Sequence, residues 1–360
     1  MAGNPVTDAV HLDTQFFVSS AFSFNSNKIE SLKRHFASGR LRLILTDITI
    51  AEVHARIRKT VAEELLLHRQ FVNQVKALHN SSLQPITSLL VKAKDDEVAA
   101  DLSHQFDTFL HENGATTIYA TKLSAEDVFK KYFSAEPPFG TAENKRHEFP
   151  DAFVVEALAG WTEGENSDLL VVTDDKLFGE ACASSEAAER LHIKKTLTDL
   201  LNHVASDDEF AEYLRAEVMK HMAEIEKQAT EEFEGYFFWV EDENGEAEVH
   251  VTQITHDGDV EILEIDEDEA LFEMSFEVKF TAKLSYDDSA TASYDREDGS
   301  LIYVEHRRES VDREASLTAE VRVQFDREAK TGVDHIEVSV VDPSDGFGIE
   351  TSSNYGYPWK

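Results

Sequence analysis

The chain has 360 residues, of which 41% are hydrophobic, so it is long enough for two domains with ordinary cores. Its single cysteine, Cys182, excludes an internal disulfide framework and is typical of a protein from a reducing cytoplasm. We predict a cytoplasmic protein with neither a signal peptide nor a membrane span. Residues 1–5 carry no basic segment ahead of an apolar core, and no apolar run approaches membrane-spanning length.

The negative charge is concentrated in the second half of the chain. Residues 1–200 hold 29 acidic and 21 basic side chains, a net charge of −8, whereas residues 201–360 hold 42 and 13, a net charge of −29. We therefore expect the second part to repel nucleic acid and any phosphate-binding surface to lie in the first. The candidate phosphate-binding residues are Lys28, Lys33, Arg34, Arg40, Arg42, Arg56, Arg58, Lys59, Arg69, Lys145 and Arg146. For any single one of them, a solvated surface position is the simpler interpretation.

The first part alternates between short apolar runs, typical of buried strands, and segments of helical periodicity. The predicted strands are residues 9–13, 40–45, 117–119 and 169–173, with a short one near Ile193. The predicted helices are residues 27–38, 50–79, stretches of 83–113, one opened by Ser124, 151–160, 176–184 and one from Thr196 onward. Asn27 is the predicted N-cap of the first helix, and Asp47 or Thr49 that of the long second helix. This order predicts an α/β fold with a parallel sheet flanked by helices and a helical insertion.

The second part has a different periodicity. Residues 206–234 read as an acidic amphipathic connecting helix. From Phe272 to Tyr286 apolar and polar residues alternate strictly, which predicts an antiparallel sheet with one buried face. The predicted turns are Asp257-Gly258, Asp298-Gly299 and Thr331-Gly332. We predict an α/β domain over residues 1–205, the connecting helix over 206–234 and a separate acidic antiparallel β domain over 235–360.

Acidic residues occur in four short contexts of the predicted α/β domain. They are Asp13, Glu52, Asp151 and the pair Asp174-Asp175. Two contexts end a predicted strand and two open or enter a predicted helix, and such ends converge at one edge of an α/β sheet. Carboxylates gathered at one edge repel one another unless a cation lies between them. Oxygen ligands select Mg²⁺ or Mn²⁺, so the pattern predicts a metal-dependent hydrolase of phosphodiester bonds.

Each acid also has a simpler structural interpretation. Glu52 fits a solvent-facing helix position, Asp151 a helix cap, and Asp174-Asp175 an ordinary turn. Asp13 is the hardest to explain structurally, because a charge directly after a short apolar strand needs a reason to be there. Zinc is rejected, since no histidine or cysteine has the spacing of a zinc site, and no glycine-rich phosphate loop is present.

The order of these acids resembles that of the PIN-domain nucleases. In that family an Asp follows the first strand, a Glu lies in an early helix, and a second Asp opens a later helix. A final Asp stands in a Thr-x-Asp context, where Asp175 is in the matching place and Asp174 is its near neighbour. The sequence Phe149-Pro150-Asp151-Ala152 resembles the signature of a PIN-like subfamily. The resemblance covers roughly residues 9–200, and the helical region between Glu52 and Asp151 is longer than in small PIN toxins.

The resemblance implies an endonuclease, with RNA favoured over DNA by family tendency. One or two Mg²⁺ or Mn²⁺ ions would be held by Asp13, Asp151 and Asp175, with Glu52 bound directly or through water, and the choice between Asp174 and Asp175 stays open. In the same way, Lys145 and Arg146 would contact the substrate phosphate, and Thr14 and Thr173 would orient ligands. A toxin-like or anti-phage role and a homodimer are further implications.

Two other functions stay open. One is a catalytically inactive PIN-like scaffold whose C-terminal sheet recruits a protein partner, and the intact set of acids argues against it. The other is a metal-dependent phosphatase of a small molecule, which the long basic helical segment mildly disfavours.

Overall fold

A computed structural model describes most of the chain. The described residues are 8–139, 148–205, 209–266, 268–294, 301–326, 332–341 and 346–352. They fall into two compact units, Met1–Leu201 and Asn202–Lys360. Across the described ranges, none of the helices combines the length and apolar character that crossing a membrane requires.

In its described part, the first unit contains five strands, eight α-helices and the beginning of a ninth that crosses the boundary at Leu201. The strands are β1 (Asp8–Leu12), β2 (Leu41–Thr46), β3 (Thr116–Ile118), β4 (Leu169–Val172) and β5 (Leu191–Lys194). The helices are α1 (Thr14–Ser19), α2 (Asn27–Ala37), α3 (Asp47–Gln74), α4 (Gln84–Leu89), α5 (Asp95–Glu112), α6 (Ala125–Ser134), α7 (Phe149–Glu165), α8 (Lys176–Ser184) and α9 (Leu197–Ala205). The predicted α/β architecture with a helical insertion is confirmed.

All five strands are parallel and lie in the order β3-β2-β1-β4-β5. The chain moves outward from β1 to β3 on one side and then returns to β4 and β5 on the other. The direction of winding therefore reverses between β1 and β4, where Leu12 pairs with Val172. In open α/β sheets the crevice outside the carboxyl ends of the strands at such a switch point is the usual ligand site.

A buried apolar cluster fixes helix α7 against the sheet. Val155 and Leu158 of α7 pack with Ile44 of β2 and with Leu169 and Val171 of β4. Each fully buried side chain of this size stabilises the fold by about 1.5–3 kcal/mol relative to exposure. Because this packing anchors the body of α7, its N-terminal turn has a fixed position. Cys182 is buried in the same cluster, as a small apolar residue.

Two helix caps differ from the predicted ones. The cap of α2 is Ser26 rather than Asn27, and the cap of α3 is Thr46 rather than Asp47 or Thr49. The Thr46 hydroxyl accepts a hydrogen bond from the Thr49 backbone N–H at 3.0 Å, while Thr46 itself keeps extended backbone angles. A cap must be the last non-helical residue, so the end of strand β2 selects Thr46. Helix α3 also ends earlier than predicted, at Gln74.

The described part of the second unit is a six-stranded sheet with two helices that follow the end of α9. Its elements are α10 (Glu209–Lys220), α11 (Met222–Glu234), β6 (Phe237–Val240), β7 (Asn244–Ile265), β8 (Glu269–Tyr294), β9 (Leu301–Phe325), β10 (Val333–Val340) and β11 (Gly346–Ile349). The strand order is β10-β9-β8-β7-β6-β11. Every pairing is antiparallel except that of β11 with β6, which is parallel, so the predicted antiparallel sheet is mixed at one edge.

The predicted alternation along β8 is confirmed by burial. Phe272, Met274 and Phe276 are buried, and the residues between them are not. Their buried face packs with apolar side chains of α10 and α11, such as Leu214 and Ile225. Both helices contact β7 and β10, so the sheet curls around them as a half-barrel. The segment that we predict as a single connecting helix is thus two helices in the core of this unit, because its apolar stripe is buried against the sheet.

One predicted turn lies inside a strand. Asp257-Gly258 belongs to β7, where the pairing with β8 shifts between Asp257 and Glu261 and Gly258 has a φ of +99°. Bulges and turns both favour a glycine with positive φ, which is why the sequence signal is the same for the two. Asp298, Gly299 and Thr331 lie outside the described residues.

Candidate active site

The carboxyl ends of β1 and β4 open onto a cavity of about 610 Å³. It is lined by Asp13, Thr14, Gln15, Glu52, Arg56, Glu148, Pro150, Asp151, Asp174, Asp175, Lys176 and Phe178. All five acids of the predicted site are in this lining, although they come from four separate segments. The predicted phosphate contacts Lys145 and Arg146 lie outside the described residues.

Asp13 links the ends of the two strands at the switch point. Its backbone N–H donates to Val172 O at 3.1 Å, which extends the pairing of β1 with β4. Its carboxylate accepts hydrogen bonds from the Thr14 N–H at 2.6 Å and from the Thr173 hydroxyl at 2.8 Å. Asp13 therefore caps α1 with one oxygen and contacts the end of β4 with the other.

Glu52 faces the cavity from the second turn of α3. Val53 and Ile57 bury the opposite stripe of this helix, which turns Glu52 towards the sheet edge. The Thr14 hydroxyl donates to Glu52 Oε2 at 2.9 Å. Thr14 and Thr173, the predicted orienting residues, thus each donate a hydroxyl hydrogen bond to one acid of the cavity.

Asp151 lies in the first turn of α7 and does not cap it. The helix begins at Phe149, with Pro150 at its second position, and Glu148 is the residue before it. Proline fits this position because the first N–H groups of a helix have no partner within it. Asp151 is half-buried at the positive end of the helix dipole, a position that favours a carboxylate.

Asp174 and Asp175 are both exposed, but their hydrogen bonding differs. Asp175 caps α8, because its Oδ1 accepts from the N–H groups of Leu177 at 2.7 Å and Phe178 at 2.9 Å. Asp174 accepts no hydrogen bond from any residue that the structure describes. Both carboxylates retain an oxygen that no described neighbour engages.

Burial and mutual repulsion raise the proton affinity of these acids. Burial raises the pKa of Asp13 to about 6, and the charges of Glu52 and Asp175 add to this, while the Thr173 and Thr14 hydrogen bonds oppose it. The pKa of Asp151 is also raised, first by burial and then by its contact with the Glu148 carboxyl. Burial likewise raises the pKa of Glu52. A cation in the cavity would offset the repulsion and favour the ionised forms.

The donor set fits a hard divalent cation in its chemistry, since all candidate ligands are carboxylate oxygens. Within the described ranges, no three His, Cys, Asp or Glu side chains lie close enough together to hold a metal ion. Asp13 and Glu52 are each engaged by a threonine hydroxyl, and the like charges repel. Binding an ion would therefore require the carboxylate side chains to rotate, while the backbone at the sheet edge stays in place.

Two lining residues bear on the chemistry beyond the predicted acids. Glu148 lines the cavity but was not predicted as a site residue. It lies three positions before Asp151, a spacing that places two side chains on the same side of a helix. Arg56 is, among the described members of the predicted basic set, the one that lines the cavity. Others are engaged elsewhere: Arg69 pairs with Asp95, and Arg42 stacks over Trp161.

Comparison with known families matches part of the chain. The family model of a PIN domain matches residues 10–178, which include all four acidic contexts and the β1–β4 switch point. This region is therefore similar to the PIN-domain family, whose members are generally nucleases, and the match leaves the second unit outside. Neither the curated proteins nor the solved structures gave a match.

Proposed function

We propose that the first unit is a metal-dependent endonuclease that hydrolyses phosphodiester bonds, with RNA favoured over DNA as substrate. The observation that supports this most is that acids from four separate segments line one cavity outside the β1–β4 switch point. The PIN-domain match over the same region supports a nuclease fold. The preference for RNA rests on family tendency alone.

The proposed cofactor is Mg²⁺ or Mn²⁺, held by Asp13, Glu52, Asp151 and Asp175, with Asp174 as the alternative to Asp175. When bound, such an ion lowers the pKa of a water molecule and offsets charge that builds up on the phosphate. Thr14 and Thr173 would hold the Glu52 and Asp13 carboxylates in position through their hydroxyl groups. No nucleophile from the protein is required.

In this proposal cation binding depends on pH, because the carboxyl groups of the cavity also bind protons. Because the pKa values of Asp13 and Asp151 are raised, these carboxyl groups keep protons to a higher pH than exposed ones do. A cation has to displace those protons before it can bind the carboxylates. Lys145 and Arg146 are proposed to contact the substrate phosphate.

A cleavage assay tests the function. Labelled RNA and labelled DNA are incubated with the full chain in Mn²⁺, and the variants Asp13→Asn and Asp151→Asn are compared with it. Each substitution removes one charge from the cavity, so we expect cleavage to fall by about 100-fold or more. Asp101→Asn, an exposed change in the middle of α5, is the matched control and should cleave normally. Cleavage that persists in both site variants would reject the proposed site.

The inactive scaffold is the second candidate, and one observation favours it. In the part of the chain that the structure describes, no three ligand-type side chains are gathered closely enough for a metal ion. Absence of cleavage on every nucleic acid would select the scaffold, with the C-terminal sheet as the surface for a protein partner. The Phe-Pro-Asp-Ala subfamily, the toxin-like or anti-phage role, the homodimer and the cytoplasmic location are proposed on the sequence alone.

A further inference from the structure

Arg56 is an exposed cation in a cavity that is otherwise strongly acidic. Six carboxylates line the cavity, those of Asp13, Glu52, Glu148, Asp151, Asp174 and Asp175. The described cations in the lining are Arg56 and Lys176. Arg56 lies one helical turn after Glu52 on α3, so the helix directs both residues towards the same side.

The described neighbours of Arg56 do not engage its guanidinium. The natural partner is Glu52, four residues earlier, but Glu52 Oε2 accepts a hydrogen bond from the Thr14 hydroxyl. Arg56 influences Glu52 only through its charge, and within the described ranges it makes no ion pair and no hydrogen bond. Lys176, in contrast, lies 3.6 Å from Glu180 Oε1.

Within the described residues Arg56 forms no ion pair, so the N–H donors of its guanidinium are available to a ligand in the cavity. Pairing with a Glu one turn away is worth only about 0.3–0.5 kcal/mol, so a bound anion readily outcompetes it. The planar guanidinium matches two oxygens of a phosphate with two parallel N–H···O bonds, a geometry that lysine lacks. The cavity therefore contains, beside its carboxylates, one guanidinium group that is able to bind a phosphate in this way.

We propose that Arg56 binds the phosphate group of the substrate by two hydrogen bonds to its non-bridging oxygens. This inference rests on the proposed nuclease function and names a residue that holds the phosphate in the same cavity. Arg56 offsets part of the repulsion between the six carboxylates and a phosphodiester anion. It is a substrate-binding residue distinct from the acids that would hold the cation.

Three variants of the full chain test this assignment. Arg56→Gln removes the charge, Arg56→Lys keeps the charge but not the planar guanidinium, and Lys76→Gln is the control. Lys76 is an exposed cation just after the end of α3, is not among the candidate phosphate-binding residues and does not line the cavity. In Mn²⁺ we expect Arg56→Gln to lower kcat/KM by roughly 10–100-fold, the scale of a lost charge-assisted pair. Arg56→Lys should recover only part of this loss, and Lys76→Gln should stay within about twofold. Thermal unfolding should be unchanged in all three, because the altered side chains are exposed.

A binding measurement separates this inference from the nuclease proposal. The affinity of a fluorescein-labelled single-stranded RNA is measured against salt concentration, with Ca²⁺ in place of Mn²⁺. Loss of one phosphate contact should flatten the plot of log affinity against log salt by about 0.7 for Arg56→Gln and not for Lys76→Gln. If the wild type cleaves no nucleic acid but shows this Arg56-dependent binding, the nuclease function fails and the phosphate contact stands.

The remaining outcomes overturn the assignment. If Arg56→Gln cleaves and binds like the wild type, the nuclease function survives without a role for Arg56. Equal losses in Arg56→Gln and Lys76→Gln would mean a diffuse surface effect rather than a contact in the cavity. A wild type that neither cleaves nor binds nucleic acid would overturn both proposals.

Discussion

Asp13 lies at the switch point of the sheet and also lines the cavity. It follows β1 directly, bonds to the end of β4 through Thr173, and lies close enough to Glu52 and Asp175 for their charges to raise its pKa. Its pKa of about 6, compared with an ordinary 3.8, means that the folded protein binds this proton more tightly than the unfolded chain does. The favourable contribution of Asp13 to stability is therefore complete below about pH 4 and is lost as the pH rises through 6.

This sign gives a prediction for Asp13→Asn. Asparagine removes the charge but keeps the shape, so in EDTA at pH 7.5 the variant should be more stable than the wild type by up to about 3 kcal/mol. At about pH 3 the difference should nearly vanish, because the Asp13 carboxyl is then protonated in the folded protein and largely protonated in the unfolded chain. Calorimetric unfolding of the full chain at the two pH values measures this difference. A variant that is equally destabilised at both would mean that the Asp13 carboxylate is held by favourable contacts, and not under repulsion.

At the scale of elements, the start of α8 separates two roles for neighbouring acids. Asp175 caps α8 with one oxygen, whereas Asp174 accepts no hydrogen bond from a described residue. Substitutions that keep or remove the helix cap therefore distinguish the structural role of an acid in this turn from its role as a metal ligand. Asparagine caps a helix about as well as aspartate does, and alanine does not.

We expect three variants of this turn to differ. Asp175→Ala should lose about 1 kcal/mol of stability, whereas Asp175→Asn should unfold like the wild type but lose cleavage. Asp174→Asn should change neither property strongly, because Asp175 is the proposed ligand. Urea unfolding and the RNA cleavage assay measure the two properties on the same samples. Loss of cleavage in Asp174→Asn alone would move the ligand role to Asp174.

The elements that the sequence predicts well are those whose signal is local. Strand β4 is a short apolar run and β8 a strict alternation, and each pattern has a single structural solution. The caps of α2 and α3 were harder to predict, because Ser26 and Asn27, like Thr46 and Asp47, are neighbouring residues that are both able to cap. Strand β11 has no local signal at all, since it is short, contains two glycines and depends on pairing with β6, more than a hundred residues away.

The candidate site, like the fold, was predictable only where the sequence signal is local. The four acidic contexts were predictable, because strand ends and helix starts converge in an α/β fold. Glu148 was not, because it lines the cavity only through the tertiary position of α7. Arg56 was one of many basic residues in the sequence, and only the packing of α3 distinguishes it from Arg58, two positions further along the helix.

At the scale of the whole molecule, negative charge is distributed unevenly between two compact units. The boundary between them follows Leu201, and residues 201–360 carry a net charge of −29. The PIN-domain match and the candidate site both lie within the first unit. A role for the acidic half-barrel in binding a protein partner, rather than nucleic acid, is the proposal that its charge supports.

We propose that Asp13, Glu52, Asp151 and Asp175 form one cation-binding centre at the switch point of the sheet. Anomalous diffraction from crystals of the full chain soaked in Mn²⁺ tests it most directly, since it reports the position and number of ions together. We predict an anomalous peak at roughly 2.1 Å from carboxylate oxygens of Asp13, Asp151 and Asp175. Well-ordered carboxylates at this edge with no Mn²⁺ peak between them, in crystals saturated with the ion, would contradict the claim.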